Sequence, residues 1–152
     1  MDKGKSPKLL EVQNLDAWYG AAHILHQVSL AVGRGEVVAL MGRNGAGKST
    51  TLKSIAALVP RREGSIRFMG EAMEKKASHQ IAQRGLGYVP EDRRIFTELT
   101  VLENLEVGKQ KPRRWPDGQA VPHWTPEKLF ALFPNLGEMP ERLGGRMSGG
   151  EQ

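Results

Sequence analysis

Glu36-Val37-Val38-Ala39-Leu40-Met41-Gly42-Arg43-Asn44-Gly45-Ala46-Gly47-Lys48-Ser49-Thr50-Thr51-Leu52-Lys53-Ser54-Ile55-Ala56-Ala57-Leu58 is the stretch that decides the fold. Its apolar, β-branched lead, Val37 to Met41, predicts a buried parallel strand. A glycine-rich turn, Gly42 to Gly47, comes next. Lys48, Ser49 and Thr50 then open a segment of helical spacing, with Leu52, Ile55, Ala56 and Val59 expected on one face. Between strand and helix lies the phosphate-loop pattern G-x-x-x-x-G-K-[ST], in the structural context that confirms such a motif.

The residue types follow from the chemistry. Several donors must converge on a polyphosphate, and backbone N–H groups supply them without desolvating side chains. Gly42, Gly45 and Gly47 permit positive φ and close approach, while Arg43, Asn44 and Ala46 contribute further backbone donors. A helix starting at Lys48 aims free N–H groups and its positive dipole end at the anion. Lys48 reaches the β- and γ-phosphates, and the Ser49 hydroxyl is placed to ligate Mg²⁺.

Outward from this stretch, 152 residues suffice for one ordinary domain. With 26% charged and 39% hydrophobic residues, the composition is that of a soluble globular chain. No apolar run approaches the roughly 20 residues of a membrane span. Met1 to Lys8 has no apolar h-region behind it, so a chain that stays in the cytoplasm is expected. The absence of cysteine excludes disulfides and thiolate metal sites. The net charge of +5 is spread over short pairs, Arg61-Arg62, Lys75-Lys76, Arg93-Arg94 and Arg113-Arg114. Solvated faces, or an acidic membrane surface or partner, account for these pairs, and no nucleic-acid partner is expected.

Before the phosphate loop, Leu9 to Leu15 and Ile24 to Val32 alternate like strands with one wet face, interrupted at Trp18-Tyr19-Gly20. Two antiparallel strands and one parallel strand predict a mixed sheet. Tyr19 is the first candidate to stack on a nucleotide base, and Trp18 the second. After the loop, residues 60–64 read as a turn, 65–68 as a strand, 78–84 as a short helix with Ser78 as N-cap, and 86–89 as another strand. Thr100 and Glu103 form a capping box ahead of a helix with Val101, Leu102, Leu105 and Val107 on its apolar side. Residues 108–125 have no periodicity and read as an exposed, mobile loop. Thr125-Pro126-Glu127 starts a helix whose buried side is Leu129, Phe130, Leu132 and Phe133, stopped by Pro134. His23, His26, His79 and His123 show no ligand spacing with acidic partners, so surface or core histidines are expected.

The end of the chain, Met147-Ser148-Gly149-Gly150-Glu151-Gln152, together with the phosphate loop, resembles the signature of ABC-transporter ATPases. The resemblance runs from Tyr19 through the signature. It implies an α/β P-loop NTPase fold of the ABC ATPase type: a mixed sheet with flanking helices plus a helical subdomain. Residues 1–90 would form the nucleotide-binding core and 91–152 the helical subdomain, with the C-terminal part of the core missing.

In that family two ATPase domains sit head to tail, one offering the phosphate loop and the other the signature. Ser148, Gly149, Gly150, Glu151 and Gln152 would therefore face the partner's ATP. A second loop, usually carrying glutamine, touches Mg²⁺ and couples to transmembrane permease subunits. Here it is Tyr88-Val89-Pro90-Glu91-Asp92-Arg93-Arg94-Ile95-Phe96, with Glu91 for glutamine. A carboxylate keeps the oxygen ligand and loses an amide donor. This variant looks like the ATP-binding subunit of branched-chain amino-acid importers, which implies a peripheral position at the cytoplasmic face of the membrane and, as an indirect partner, a periplasmic or extracellular solute-binding protein. A related urea- or amide-type importer is the alternative. The Asp-Glu segment that supports Mg²⁺ and polarises water does not occur in these residues, so the resemblance predicts no hydrolysis by them alone. A non-catalytic nucleotide-binding module therefore stays open. A P-loop GTPase or small-molecule kinase is disfavoured by the upstream aromatic, the Ser-Gly-Gly run and the lack of an Asn-Lys-x-Asp guanine reader.

Overall fold

The alternation at Leu9 to Leu15 and Ile24 to Val32 folds into two paired strands. A computed structural model of the chain describes residues 8–152. The reading of the amino-terminal stretch as lacking a signal core falls on residues 1–7, outside the described residues. The chain divides after Tyr88 into two compact units.

In the first unit β1 (Lys8–Tyr19) and β2 (Ala22–Gly33) form a long hairpin. β3 (Arg61–Phe68) and the short β4 (Glu71–Ala72) extend it, giving the order β2-β1-β3-β4 with antiparallel pairing throughout. β1 runs through Trp18 and Tyr19, which pair with His23 and Ala22, so these residues prolong the strand instead of interrupting it. Arg61 to Gly64, expected as a turn, belong to β3 because Arg61, Arg62 and Glu63 find register partners in Trp18, Ala17 and Asp16.

One face of this sheet carries Val12, Leu15, Ala17, Leu25, Ile66 and Phe68, and Ile55, Met73 and Ile81 complete the core. α1 (Lys48–Ile55) lays Thr51, Ser54 and Ile55 on that core. Leu52, expected on the buried side, is exposed. The helix stops at Ile55 and Ala57 turns the chain at φ 57°, so Val59 does not continue the face that Leu52 begins.

Two expected strands do not form. Residues 36–41 are irregular, with Val37 96% and Met41 87% exposed. A central strand exists only through hydrogen bonds to its neighbours, and among the described residues no strand pairs beside 36–41. Apolar character alone does not hold an unpaired segment in strand form. The same applies to residues 86–89, where Val89 is 86% exposed. The expected parallel strand is thus absent, while the α/β arrangement of sheet and helices stands.

Arg62 locks α1 to the sheet. Its guanidinium donates to the carbonyls of Ser54 and Ile55 in the last turn of α1, and to those of Met73, Glu74 and Lys76 at 3.0, 3.2 and 3.5 Å. A cation at a helix C-terminus also meets the negative end of the dipole. Burial pulls the Arg62 pKa down and Glu74 pulls it back up. α2 (Ser78–Gln83) closes the unit; its N-cap is Ala77, not Ser78, and Gln80 Oε1 accepts from the Ala77 N–H at 3.0 Å.

The second unit holds α3 (Val101–Gly108), α4 (Pro126–Leu132), α5 (Pro134–Gly137) and a 3₁₀ turn, Gly144–Arg146. The Thr100 capping box is present: Glu103 N–H donates to Thr100 Oγ1 at 3.2 Å, and Thr100 N–H to Glu103 Oε2 at 2.8 Å. α4 starts at Pro126 under a Thr125 cap, but Leu132 and Phe133 are half exposed. Pro134 ends α4 and begins α5. The 108–125 loop contains a small hairpin, with Arg114 bridged to Ala120 around a turn at Gly118.

Replacing Arg62 by Met leaves the carbonyls at the end of α1 and those of Met73, Glu74 and Lys76, just after β4, without their shared donor. Each buried unpaired group costs ~1–3 kcal/mol, so Arg62→Met should destabilise the first unit by about 2–4 kcal/mol. Chemical denaturation followed by Trp18 fluorescence measures this, and an unchanged midpoint would contradict it.

Candidate functional site

Residues 42–50 form a loop that runs directly into α1. Gly45 and Gly47 take φ of 85° and 86°, while Gly42, at 159°, is nearly extended. The Ala46 N–H closes a turn on the Arg43 carbonyl at 3.1 Å, and Gly47 is the N-cap of α1 in the left-handed conformation. The first bond of the helix runs from the Thr51 N–H to the Gly47 carbonyl at 2.8 Å. The N–H groups of Lys48, Ser49 and Thr50 precede it, so the helix offers them to whatever sits beyond its end.

Lys48 turns its side chain back over the loop. Its Nζ donates to the carbonyls of Gly42 and Arg43, both at 2.8 Å. An ammonium has three donors, so one remains to be shared. The loop thus puts a cation over its own backbone next to the helix start, and Ser49 lies exposed there. This is an arrangement that binds anions carrying several oxygens.

What fixes the loop on the sheet is Gly47. A Cβ there would lie 2.6 Å from Leu25 Cδ2, so the bare backbone is what allows loop and β2 to approach. Leu25 had no functional mark in the sequence, where it read only as a strand residue.

Tyr19 stands at the tip of the β1–β2 hairpin and is 41% exposed. Trp18 beside it is engaged. His23 stacks on it with ring centroids 4.3 Å apart and planes 12° apart, and the Arg61 guanidinium lies 4.2 Å from the ring centre. Two groups so close to one ring occupy its opposite faces, which leaves Trp18 no face for a base. Of the two aromatic candidates, only Tyr19 keeps an open ring surface. The tip also joins His23, His26 and Asp16, which corrects the expectation of histidines without an acidic neighbour: His23 Nε2 is 2.7 Å from Asp16 Oδ1, and the His23 and His26 ring centroids are 3.9 Å apart.

In the second unit the Ser148-to-Gln152 stretch forms one helix-like turn. The N–H groups of Glu151 and Gln152 both donate to the Ser148 carbonyl at 3.1 Å, and the Glu151 carboxylate accepts from the Ser148 N–H at 2.7 Å. Hydrogen bonds from Ser148 hold the Glu151 pKa below its ordinary value. Gly149 and Gly150 are exposed, and a Cβ on Gly149 would lie 3.0 Å from the Arg93 guanidinium. Arg93 thus packs on the Gly149 backbone, two residues along from exposed Glu91.

Asn104, unremarked in the sequence, supports this turn from behind. Its amide donates to the carbonyls of Phe96, Leu99 and Thr100 and accepts from the Phe96 N–H. The loop so held takes the N–H groups of Gly144 and Gly145 on its Leu99 and Thr97 carbonyls at 2.8 and 2.9 Å. Gly144 and Gly145 lead straight into the Ser-Gly-Gly turn.

The ABC transporter family profile matches residues 25–152, and the chain belongs to that family. It is 40% identical over 144 residues to the high-affinity branched-chain amino acid transport ATP-binding protein BraG of Pseudomonas aeruginosa, covering 95% of this chain and 60% of BraG. It is 36% identical over 150 residues to the lipopolysaccharide export system ATP-binding protein LptB of Haemophilus influenzae, covering 95% of this chain and 58% of LptB. A solved ATP-binding subunit of an ABC transporter superposes with a TM-score of 0.72 at 32% identity, over 93% of this chain and 57% of that one. A cassette solved in its ADP conformation gives 0.69 at 26% identity, over 96% and 61%. The chain thus spans about three fifths of the length of these relatives.

The Gly47–Leu25 contact is open to a double-mutant cycle. Gly47→Ala should cost about 1–3 kcal/mol through overpacking and a disfavoured φ. Combined with Leu25→Ala it should cost measurably less than the sum of the two single changes. Additive costs in chemical denaturation would show that the two residues do not press on each other.

Proposed function

We propose that this chain is the ATP-binding part of an ATP-hydrolysing ABC importer subunit, serving uptake of branched-chain amino acids. The observation that carries the nucleotide reading is the 42–50 loop, where open backbone N–H groups and the Lys48 ammonium converge at a helix start. Gly42, Arg43, Asn44, Gly45, Ala46, Gly47, Lys48, Ser49 and Thr50 hold the phosphates of ATP in this reading, and Tyr19 stacks on the adenine. The exposed Ser49 hydroxyl at the start of α1 fits a Mg²⁺ ligand, and the ion would neutralise phosphate charge.

The Ser-Gly-Gly turn of residues 148–150 has the same construction on a smaller scale: a serine hydroxyl, two exposed glycine N–H groups and an arginine alongside. Its proposed role is to meet ATP held by a second ATPase subunit in a head-to-tail dimer. Glu91 is proposed as the coupling-loop residue toward Mg²⁺ and the permease subunits, with a solute-binding protein supplying the substrate from the other side. Among the described residues no helix is long and apolar enough to cross a membrane. A peripheral position at the cytoplasmic face, held by the permease, is therefore proposed. Residues 1–90 are taken as the nucleotide-binding core and 91–152 as the helical subdomain.

These residues bind and position; none of them is assigned the water-polarising carboxylate, so hydrolysis is attributed to the protein as a whole. The branched-chain assignment draws on Glu91 within Val-Pro-Glu-x-Arg-Arg-x-Phe and on the likeness to BraG. The relatives named for lipopolysaccharide export and, in Oceanobacillus iheyensis, for ribose import show that the same scaffold serves other cargoes.

The test is nucleotide binding. Lys48→Ala removes a charged donor, which is worth ~1.5–3 kcal/mol, so Mg-ATP affinity should fall about 10- to 100-fold in a calorimetric titration. Affinity within about twofold of the unmodified chain would refute the role of the loop.

A further inference from the structure

The hairpin tip carries a second cluster of chemically able side chains that the nucleotide reading does not use. We infer that Asp16, His23 and His26 form a binding site for a divalent transition-metal ion of the zinc class. One ligand atom from each lies within 4.8 Å of the other two. Around a tetrahedral zinc with bonds of ~2.0–2.2 Å, ligand atoms stand about 3.4 Å apart. Small side-chain rotations therefore close the set, and a water or other ligand completes the fourth position.

The backbone is built in a way that brings the three together. In a regular strand, residues three apart point to opposite faces, so His23 and His26 should diverge. The hairpin has register shifts between Leu15 and Ala17 and between Ala17 and Trp18: Leu15 pairs with Val28, Ala17 with Leu25 and Trp18 with His23. Gln27, next to His26, takes φ 49°, unusual for a residue with a side chain. Bulges of this kind re-aim side chains, and here their result is two imidazoles with centroids 3.9 Å apart.

The surroundings orient the ligands. Stacking on Trp18 fixes the plane of the His23 ring. The Gln27 N–H donates to Asp16 Oδ1 at 3.3 Å and steadies the carboxylate. Arg61, which lies over the Trp18 ring, is paired with Glu63 at 2.6 Å, and Glu63 is the register partner of Asp16. The His23–Asp16 hydrogen bond would give way to the ion. If neutral His23 carries its proton on Nε2, that proton moves to Nδ1 as Nε2 takes the metal.

Donor type sets the class of ion. Two imidazoles and one carboxylate suit zinc, nickel, cobalt or copper, whereas Mg²⁺ and Ca²⁺ prefer all-oxygen sets. This site is therefore chemically separate from any Mg²⁺ held with ATP.

Calorimetric titration of the full chain with Zn²⁺ tests the inference, with Co²⁺ absorption as a second readout. One ion per chain should bind, with cobalt giving the visible bands of a low-coordinate nitrogen and oxygen site. His23→Ala and His26→Ala should each weaken binding about tenfold or more, and the joint change His79→Ala with His123→Ala should leave it unchanged. His26→Gln, at an exposed position, repeats the loss without disturbing the His23–Trp18 stack. Millimolar Mg²⁺ should not displace the zinc. Absence of saturable binding, binding undiminished in both His26 variants, or displacement by Mg²⁺ would each overturn the assignment.

Discussion

The first unit depends on the close approach of the Gly47 backbone to Leu25. Without a Cβ at residue 47, the loop can lie directly on β2 while its chain turns through a positive φ into α1. That contact places the open N–H end of the helix. The Arg62 guanidinium holds the other end by gathering the carbonyls of the last turn. With both ends of an eight-residue helix tied to one antiparallel sheet, its open N–H end has a defined position even though residues 36–41, which lead into it, are irregular and exposed.

The second unit solves a related problem with a side-chain amide. Asn104 satisfies several backbone groups of the 96–100 loop, and that loop in turn receives Gly144 and Gly145. A short glycine-rich turn has little packing of its own, so its position comes from this chain of hydrogen bonds. The Glu151 carboxylate, held on the Ser148 N–H, gives the turn a helix-like start while leaving Gly149 and Gly150 exposed. Both proposed phosphate-contacting segments thus combine exposed glycine backbone with rigid support beneath.

What the sequence made legible were features whose physics is local. The 42–50 loop, the start of α1, the Thr100 capping box and the Thr125 cap need only neighbouring residues, and each stands where its pattern placed it. Features that depend on distant partners were read less well. Val37 to Met41 has every mark of a central strand, yet a strand is a property of its neighbours, and none among the described residues pairs with it. Val59 was placed on the face of Ile55 because the periodicity was carried past the end of α1, and Leu52, inside the helix, is exposed all the same. Arg62 looked like part of a turn because its role is to bridge elements far apart in sequence. The Asp16, His23 and His26 group escaped notice because spacing rules assume regular strands, and two register shifts bring these residues together.

The central claim is that the 42–50 loop is a preformed polyphosphate cradle resting on an already folded sheet. The most direct measurement is a two-dimensional ¹H–¹⁵N spectrum of the chain during titration with Mg-ATP. The account predicts saturable shifts greatest at the amides of Gly45, Gly47, Lys48 and Ser49, with those of Val12, Leu15 and Ile66 almost unmoved. Shifts spread evenly over the core strands, or none at residues 45–49 at saturation, would contradict it.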